Sequence, residues 1–363
     1  MSSSPSTAPS VTLIVERNRT GHRLFYVRLL AAAATARGDD VIVVLSPGDT
    51  ASMEARLHLA SLPDVVRVVE EDSLGIADVE ALSHRYAADR VVLPDADRAT
   101  MDLATRRGGW KGAGALSLLV MREAAQPGRL AVVQAVKGRL RQSLFIRASK
   151  LQNVRVCVLK SPTWSGSSRL VPAVDPISVD VDSDAVEALR AKWQLDSERR
   201  WFAVVGAVSA RKNVDLVISA LHQLPDHSVV GLVIAGSIEP ETRALLQPLI
   251  QGLDSAGVAV RVVDRLLTDG ELDACVAVAD VVVLAHSNEG PSGILGKAAA
   301  LGTRVVAAGA ESLRRDADAY PELASWTTLS APALAVEFRR VLALPTPVPV
   351  LSIGTEAFTS ALL

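Results

Sequence analysis

His286-Ser-Asn-Glu-Gly-Pro-Ser-Gly-Ile-Leu-Gly-Lys297 is the stretch on which the reading of the chain turns. An apolar run, Val281 to Ala285, precedes it; a small-residue helix ending at Leu301, then Gly302 and a second apolar run, Val305 to Ala308, follow it. Strand, polar Gly/Ser loop, helix and strand in this order place backbone N–H groups at a helix start, beyond the strand ends. Such a terminus attracts anions through unpaired donors and the positive end of the helix dipole. Glu289, an acceptor-only carboxylate in the same loop, suits ribose or sugar hydroxyls. Phosphate donors beside a hydroxyl acceptor suggest a sugar nucleotide. On spacing alone, an ordinary βα turn capped by Ser292 is the simpler alternative.

At 363 residues the chain exceeds one ordinary core, so two domains are expected. Hydrophobic residues make up 49% but aromatics only 4%, an excess of Val, Ala and Leu that suits parallel sheets covered by helices. A net charge of −2 argues against nucleic acid as an electrostatic partner. Cys157 and Cys275 lie far apart in apolar segments and read as buried free thiols in a reducing compartment. Met1 to Ser10, rich in Ser, Thr and Pro, lacks the basic and apolar regions of a signal peptide and reads as a disordered lead-in. With no run of membrane-spanning length, a cytoplasmic protein is expected.

Outward from the central stretch, apolar runs alternate with helical periodicity. In the first half strands are expected at Val11–Val15, Val41–Leu45, Val65–Val69, Val91–Leu93 and Val154–Leu159, with helices at Leu24–Arg37, Ser52–Leu62 and Ile76–Ala88. In the second half strands are expected at Phe202–Val205, Val230–Ala235, Val258–Val263, Val281–Ala285 and Val305–Ala308. Helices fall between them at Asn213–Leu224, Glu241–Leu253, Asp269–Ala277 and Leu295–Leu301. This alternation means βαβ units and parallel sheets. The Pro-rich Val171-Pro-Ala-Val-Asp-Pro176 marks the seam between halves.

Between Arg98 and Arg155, twelve Lys and Arg residues face only Asp102 and Glu123. Lys137-Gly-Arg-Leu-Arg-Gln-Ser-Leu-Phe-Ile-Arg147 is both basic and amphipathic. A solvated helix face is the default reading, with docking on an anionic membrane or an anionic acceptor as the alternatives.

The second half opens with Gly206-Ala-Val-Ser-Ala-Arg-Lys-Asn213, again between a strand and a helix. Arg211 and Lys212 are unfavourable at a helix N-terminus unless an anion lies between them, and Ser209 adds a hydroxyl. Polyphosphate fits, since Arg grips two oxygens and Lys acts as a point charge. Both loops should leave the same edge of one sheet, where open α/β sheets bind ligands.

Here the chain resembles a known family. The second half is similar to the C-terminal domain of GT-B glycosyltransferases of the retaining family 4 type. The resemblance rests on Gly206 to Leu221, Val233-Ile-Ala-Gly236, Ala279-Asp-Val-Val-Val-Leu284, Glu289-Gly290 and Gly302-Thr-Arg-Val-Val306 in that order. It covers about Trp201 to Gly309; Gly21-His-Arg23 and Val171 to Asp175 match more weakly. The fold it implies is α/β: two Rossmann-like doubly wound domains facing a central cleft. The domains expected are a lead-in 1–10, an acceptor domain 11–180, a nucleotide-sugar donor domain 181–345, and a tail 346–363 crossing back to the first domain.

By the same resemblance, Lys212 pairs with the donor diphosphate and Glu289 touches the transferred sugar or acts near the reaction centre. The amides of Ser292, Gly293 and Ile294 cradle phosphate, and Gly206, Ser209, Arg211 and Gly290 complete the donor site. Gly21, His22, Arg23 and Arg122 would face the acceptor. Transfer with retention needs neither a protein nucleophile nor a metal, so no cofactor is expected; the nucleotide sugar is a substrate. The acceptor would be a carbohydrate, a lipid-linked molecule or a small molecule. Polysaccharide, glycolipid or natural-product assembly is the expected setting, in the cytoplasm or at the inner membrane face.

Three departures mark a variant subgroup. Ala207 stands where the family has an arginine, with Arg211 one turn away. The family's second glutamate, eight residues after Glu289, is Lys297, which cannot accept a ribose hydrogen bond. Met121-Arg-Glu123 replaces a sugar-contacting histidine. These keep two rivals open: a non-catalytic scaffold partnering an active transferase, and a sugar-nucleotide epimerase. Asp95-Ala-Asp97, Asp182-Ser-Asp184 and Asp316-Ala-Asp318 have the Asp-x-Asp form of metal-binding transferases. The last two read as a helix cap and a solvated helix face.

Overall fold

Apolar β-branched runs, buried on both faces, assemble here into two parallel sheets. The computed structural model describes residues 9–19, 23–121, 131–351 and 354–363. The first sheet contains β1 (Val11–Glu16), β2 (Asp40–Leu45), β3 (Arg67–Glu70), β4 (Arg90–Leu93), β5 (Ala115–Val120), β6 (Val154–Lys160) and β7 (Val171–Val174), in the order β3-β2-β1-β4-β5-β6-β7. The second contains β8 (Arg200–Val205), β9 (Val230–Ala235), β10 (Ala259–Val263), β11 (Val281–His286), β12 (Arg304–Gly309) and β13 (Ala324–Thr327), in the order β10-β9-β8-β11-β12-β13. Every strand pairing in both is parallel.

Each sheet has a hydrophobic cluster on either face, so both are doubly wound α/β layers. In each, strand order reverses beside the first strand, between β1 and β4 and between β8 and β11. Ligands of open α/β sheets bind beyond the strand ends at such a point.

The chain divides into two compact units. One comprises Met1–Lys160, Ser165–Val174 and Thr355–Leu363; the other comprises Ser161–Trp164 and Asp175–Gly354. The Pro-rich seam is in part a strand: Val171-Pro-Ala-Val174 pairs with β6, Pro172 lying opposite Val158. As the outermost strand it needs ladder bonds on one side only, which is why Pro is tolerated. Among the elements without a sequence expectation are the helices Asp97–Thr105 and Ala331–Leu342 and the strand β13. Strand β13 reads Ala-Ser-Trp-Thr, too short and polar to signal a strand, and forms by pairing with β12.

Asp182 caps the helix Ser183–Trp193 through Ala185 N, as expected of Asp182-Ser-Asp184. Asp316 departs from expectation. It is buried, not solvated, and accepts from the Ser161 and Thr163 hydroxyls at 2.6 Å each. Those bonds bind Ser161–Trp164 to the second unit.

The last helix, Glu356–Leu362, belongs to the first unit. Phe358 and Leu362 are buried in the cluster formed by the helix Arg23–Ala36 and strands β1, β2 and β6, with the Phe358 ring 4.8 Å from that of Tyr26. Removing a buried phenylalanine loses transfer energy and leaves a cavity. Phe358→Ala should therefore destabilise the first unit by about 3–5 kcal/mol, read as a lower urea midpoint for that unit.

Candidate functional site

Strand β8 ends at Val205, and Gly206 follows with φ +84°. A Cβ on neighbouring Gly236 (φ +133°) would lie 2.2 Å from Gly206 O, so the two strand ends approach as only glycine allows. The chain then bridges to Ile238 through Val208 and turns through the short 3₁₀ segment Ala210–Lys212. Ser209 begins that turn, and its carbonyl accepts from Lys212 N at 2.9 Å.

Lys212 is 4% exposed, and its Nζ donates to Val205 O. Burial, with Arg211 adding repulsion, lowers its pKa from 10.5 to about 7. Below about pH 7 this buried charge costs stability in full. Between about 7 and 10.5 the unfolded chain holds the extra proton, so stability rises with pH.

The second loop leaves β11, the strand beside β8, at the same sheet edge. Four hydrogen bonds tie the loops together. Ser287 N and Oγ donate to Arg211 O at 3.0 and 3.3 Å, Arg211 Nη1 donates to Asn288 Oδ1 at 3.3 Å, and Asn213 Nδ2 donates to Ala285 O at 2.8 Å. The structure thus brings Gly206, Ser209, Arg211 and Lys212 to the loop carrying Glu289, Gly290 and Ser292. Helix Gly293–Leu301 starts there, its N-cap Ser292 accepting from Leu295 N at 3.4 Å. The amides of Gly293 and Ile294 are in the first turn and have no acceptor within the helix.

Glu289 has structural work of its own. Its carboxylate oxygens accept from Glu311 N and Ser312 N, both at 2.8 Å, and Gly290 N donates to Ser312 Oγ at 3.1 Å. Helix Glu311–Asp318 begins after Ala310, which has no side chain to cap it. Glu289 supplies the cap from a distance, and its charge suits the helix dipole. Ala310 immediately before a helix start was the available sequence signal.

Lys297 is engaged within the protein. Its Nζ donates to Asp273 Oδ1 at 2.5 Å and to Ser178 O at 2.6 Å, while Asp273 Oδ2 accepts from Asp180 N at 2.9 Å. Sequence reasoning also passed over His286. The last residue of β11, it has a buried Nε2 with no hydrogen-bond partner among the described residues. Burial beside Lys212 and Arg211 lowers its pKa to about 3.

In the first unit, Gly21, His22 and Arg122 lie outside the described residues. Arg23 opens the helix Arg23–Ala36 and pairs through Nε with Asp95 at 2.5 Å. Asp97 accepts from Arg141 at 2.5 Å and from Met121 N at 3.0 Å. Both acids of Asp95-Ala-Asp97 are thus engaged by arginines, and the described residues contain no cluster of three or more potential metal ligands. Among the basic residues, Arg106 pairs with Glu80 at 2.7 Å and Arg141 also lies over the Phe145 ring. In these two pairs the acids, Glu80 and Asp97, lie outside the segment. No described helix is long and apolar enough to cross a membrane.

The family model for glycosyl transferases group 1 matches residues 185–315. No curated protein sequence matches the chain. Among solved structures, it is similar to sucrose-phosphate synthase from Thermosynechococcus elongatus (TM-score 0.68, 16% identity, 97% of this chain and 95% of that one). Anabaena HepE in complex with UDP-glucose (0.63, 16%, 96% and 94%) is also similar. So is WaaG, a glycosyltransferase involved in lipopolysaccharide biosynthesis (0.61, 16%, 97% and 93%). Residues 185–315 thus form a glycosyl transferases group 1 domain, in a chain with the two-domain Rossmann-like fold of GT-B glycosyltransferases.

Proposed function

We propose that the protein is a retaining glycosyltransferase that moves a sugar from a nucleotide-diphosphate donor to a hydroxyl acceptor. The observation that carries this reading is Lys212. It is a buried lysine at the strand-order reversal, laced to the loop that starts helix Gly293–Leu301. The UDP-glucose bound to HepE, a protein of similar fold, supports a donor of this class.

In this reading Lys212 and Arg211 take the diphosphate, with the Gly293 and Ile294 amides and the Ser209 hydroxyl on its other oxygens. Charge grows on the departing diphosphate, and donors already in place stabilise it without reorganising. Glu289 and Gly290 position the sugar; each carboxylate oxygen keeps a lone pair beyond the amide it accepts. A diphosphate oxygen takes the proton of the incoming hydroxyl on the face the leaving group departs from, so neither protein nucleophile nor metal is required. The acceptor, met by Gly21, His22, Arg23 and Arg122, belongs to polysaccharide, glycolipid or natural-product assembly in the cytoplasm. Arg139 and Leu140, exposed on the helix Ala131–Ala148, support peripheral contact with an anionic membrane.

A second reading, a non-catalytic scaffold, draws support from Lys297. Where the family's glutamate would accept from ribose, this side chain is locked onto Asp273 and Ser178.

A thermal-shift series with nucleoside diphosphates and their sugars separates the readings. A bound donor at about 100 times its dissociation constant should add roughly 2.7 kcal/mol of stability. Lys212→Ala should weaken binding by roughly 10- to 100-fold, the worth of a charge-assisted bond. Stabilisation by none of the nucleotides would favour the scaffold. Separately, Lys297→Met leaves Asp273, 1% exposed, as an unpaired buried acid. It should cost about 3–5 kcal/mol in urea denaturation.

A further inference from the structure

His286 closes β11 beside the turn that carries Lys212. Its Nε2 is sealed from solvent and unpartnered among the described residues. A buried polar atom left so bears its desolvation cost, which a hydrogen-bonding ligand would relieve. Lys212, 4% exposed, rests on a carbonyl and makes no ion pair with a carboxylate among the described residues. The charges acting on the imidazole are those of Lys212 and Arg211. Two acids near this corner are engaged elsewhere: Glu289 gives both oxygens to the Glu311 and Ser312 amides, and Glu311 pairs with Arg314. Lys212 and His286 therefore share one corner of the sheet edge, and neither has a carboxylate partner among the described residues.

We infer that His286 is a second ligand for the anion held by Lys212, its Nε2 meeting an oxygen of the donor diphosphate, and that the pair takes up protons as that anion binds. The inference rests on the donor reading proposed above. Burial and, in lesser part, neighbouring cations hold Lys212 near 7 and His286 near 3. A polyanion between them favours the charged form of both. Both groups then hold more proton in the complex than in the free protein, so affinity falls as pH rises through about 7.

The test is calorimetric titration with UDP-glucose, ADP-glucose or GDP-mannose, whichever gives the largest thermal shift. It is run at pH 6 and pH 8 in two buffers of different ionisation enthalpy. The diphosphate of a nucleotide sugar does not titrate in this range, so the difference in heat counts protons on the protein. At pH 8 about one proton should be taken up, on Lys212, and this uptake should disappear in Lys212→Met. At pH 6, where Lys212 is already mostly charged, uptake should persist in the wild type and vanish in His286→Gln. That variant should also bind about tenfold more weakly with an unchanged unfolding temperature. His286→Asn provides the same reading should the glutamine variant fold poorly. Wild-type affinity in both His286 variants, or no proton uptake by the wild type, overturns the inference and leaves donor binding intact. No binding of any nucleotide sugar would instead remove the donor reading, and this inference with it.

Discussion

A buried lysine with no carboxylate partner among the described residues is costly, and the second unit keeps one where its strand order reverses. Everything around Lys212 holds it there. The two glycines at the ends of β8 and β9 bring the backbone close, the 3₁₀ turn carries the side chain inward, and bonds from Ser287, Asn213 and Arg211 join that turn to the end of β11. Removing water from an ammonium lowers its pKa, and here the shift brings it close to neutrality. A hydrophobic side chain in that place would stabilise the fold at less cost, and the retained cation is the main support for the proposed anion site.

The same loop shows how one residue serves two structural levels. Glu289 caps the helix Glu311–Asp318 and thereby fixes the loop that leads to helix Gly293–Leu301. A carboxylate held by two backbone amides has one orientation, which suits the sugar-positioning role proposed for Glu289. Lys297 sits one turn into that helix and is committed elsewhere. With Asp273 it fastens residues 178–180, where the chain enters the second unit. Gly296 beside it exists for packing: a Cβ there would lie 2.2 Å from Ile177 Cδ1.

In the first unit the equivalent reversal point collects charges of both signs. Glu16, the last residue of β1, is 1% exposed, and burial pushes its carboxyl up to about 8. Arg23 pairs with Asp95 and Arg141 with Asp97. Here arginines answer acids, whereas Lys212 and His286 have no acid partner among the described residues. The two sheets share a strand order but not an electrostatic character.

Much of this was legible in the residues. Val/Ile/Leu runs alternating with 3.6-residue periodicity can bury both faces only as parallel strands under helices, so the α/β class and most strand positions followed from composition and spacing. The loops Gly206–Asn213 and His286–Lys297 stood out because cations and glycines at helix starts need a reason. Strand order, and with it the meeting of those loops, came from tertiary pairing of β8 with β11, residues about eighty apart in sequence. The roles of individual side chains were settled the same way. Nothing local in the sequence says that Glu289 caps a helix twenty-two residues on, that Lys297 binds Asp273, that Asp316 is buried against Ser161 and Thr163, or that His286 Nε2 has no partner among the described residues. Local sequence sets which segments bury and with what period; which charges meet depends on contacts between segments distant in the chain, and only the folded packing creates those.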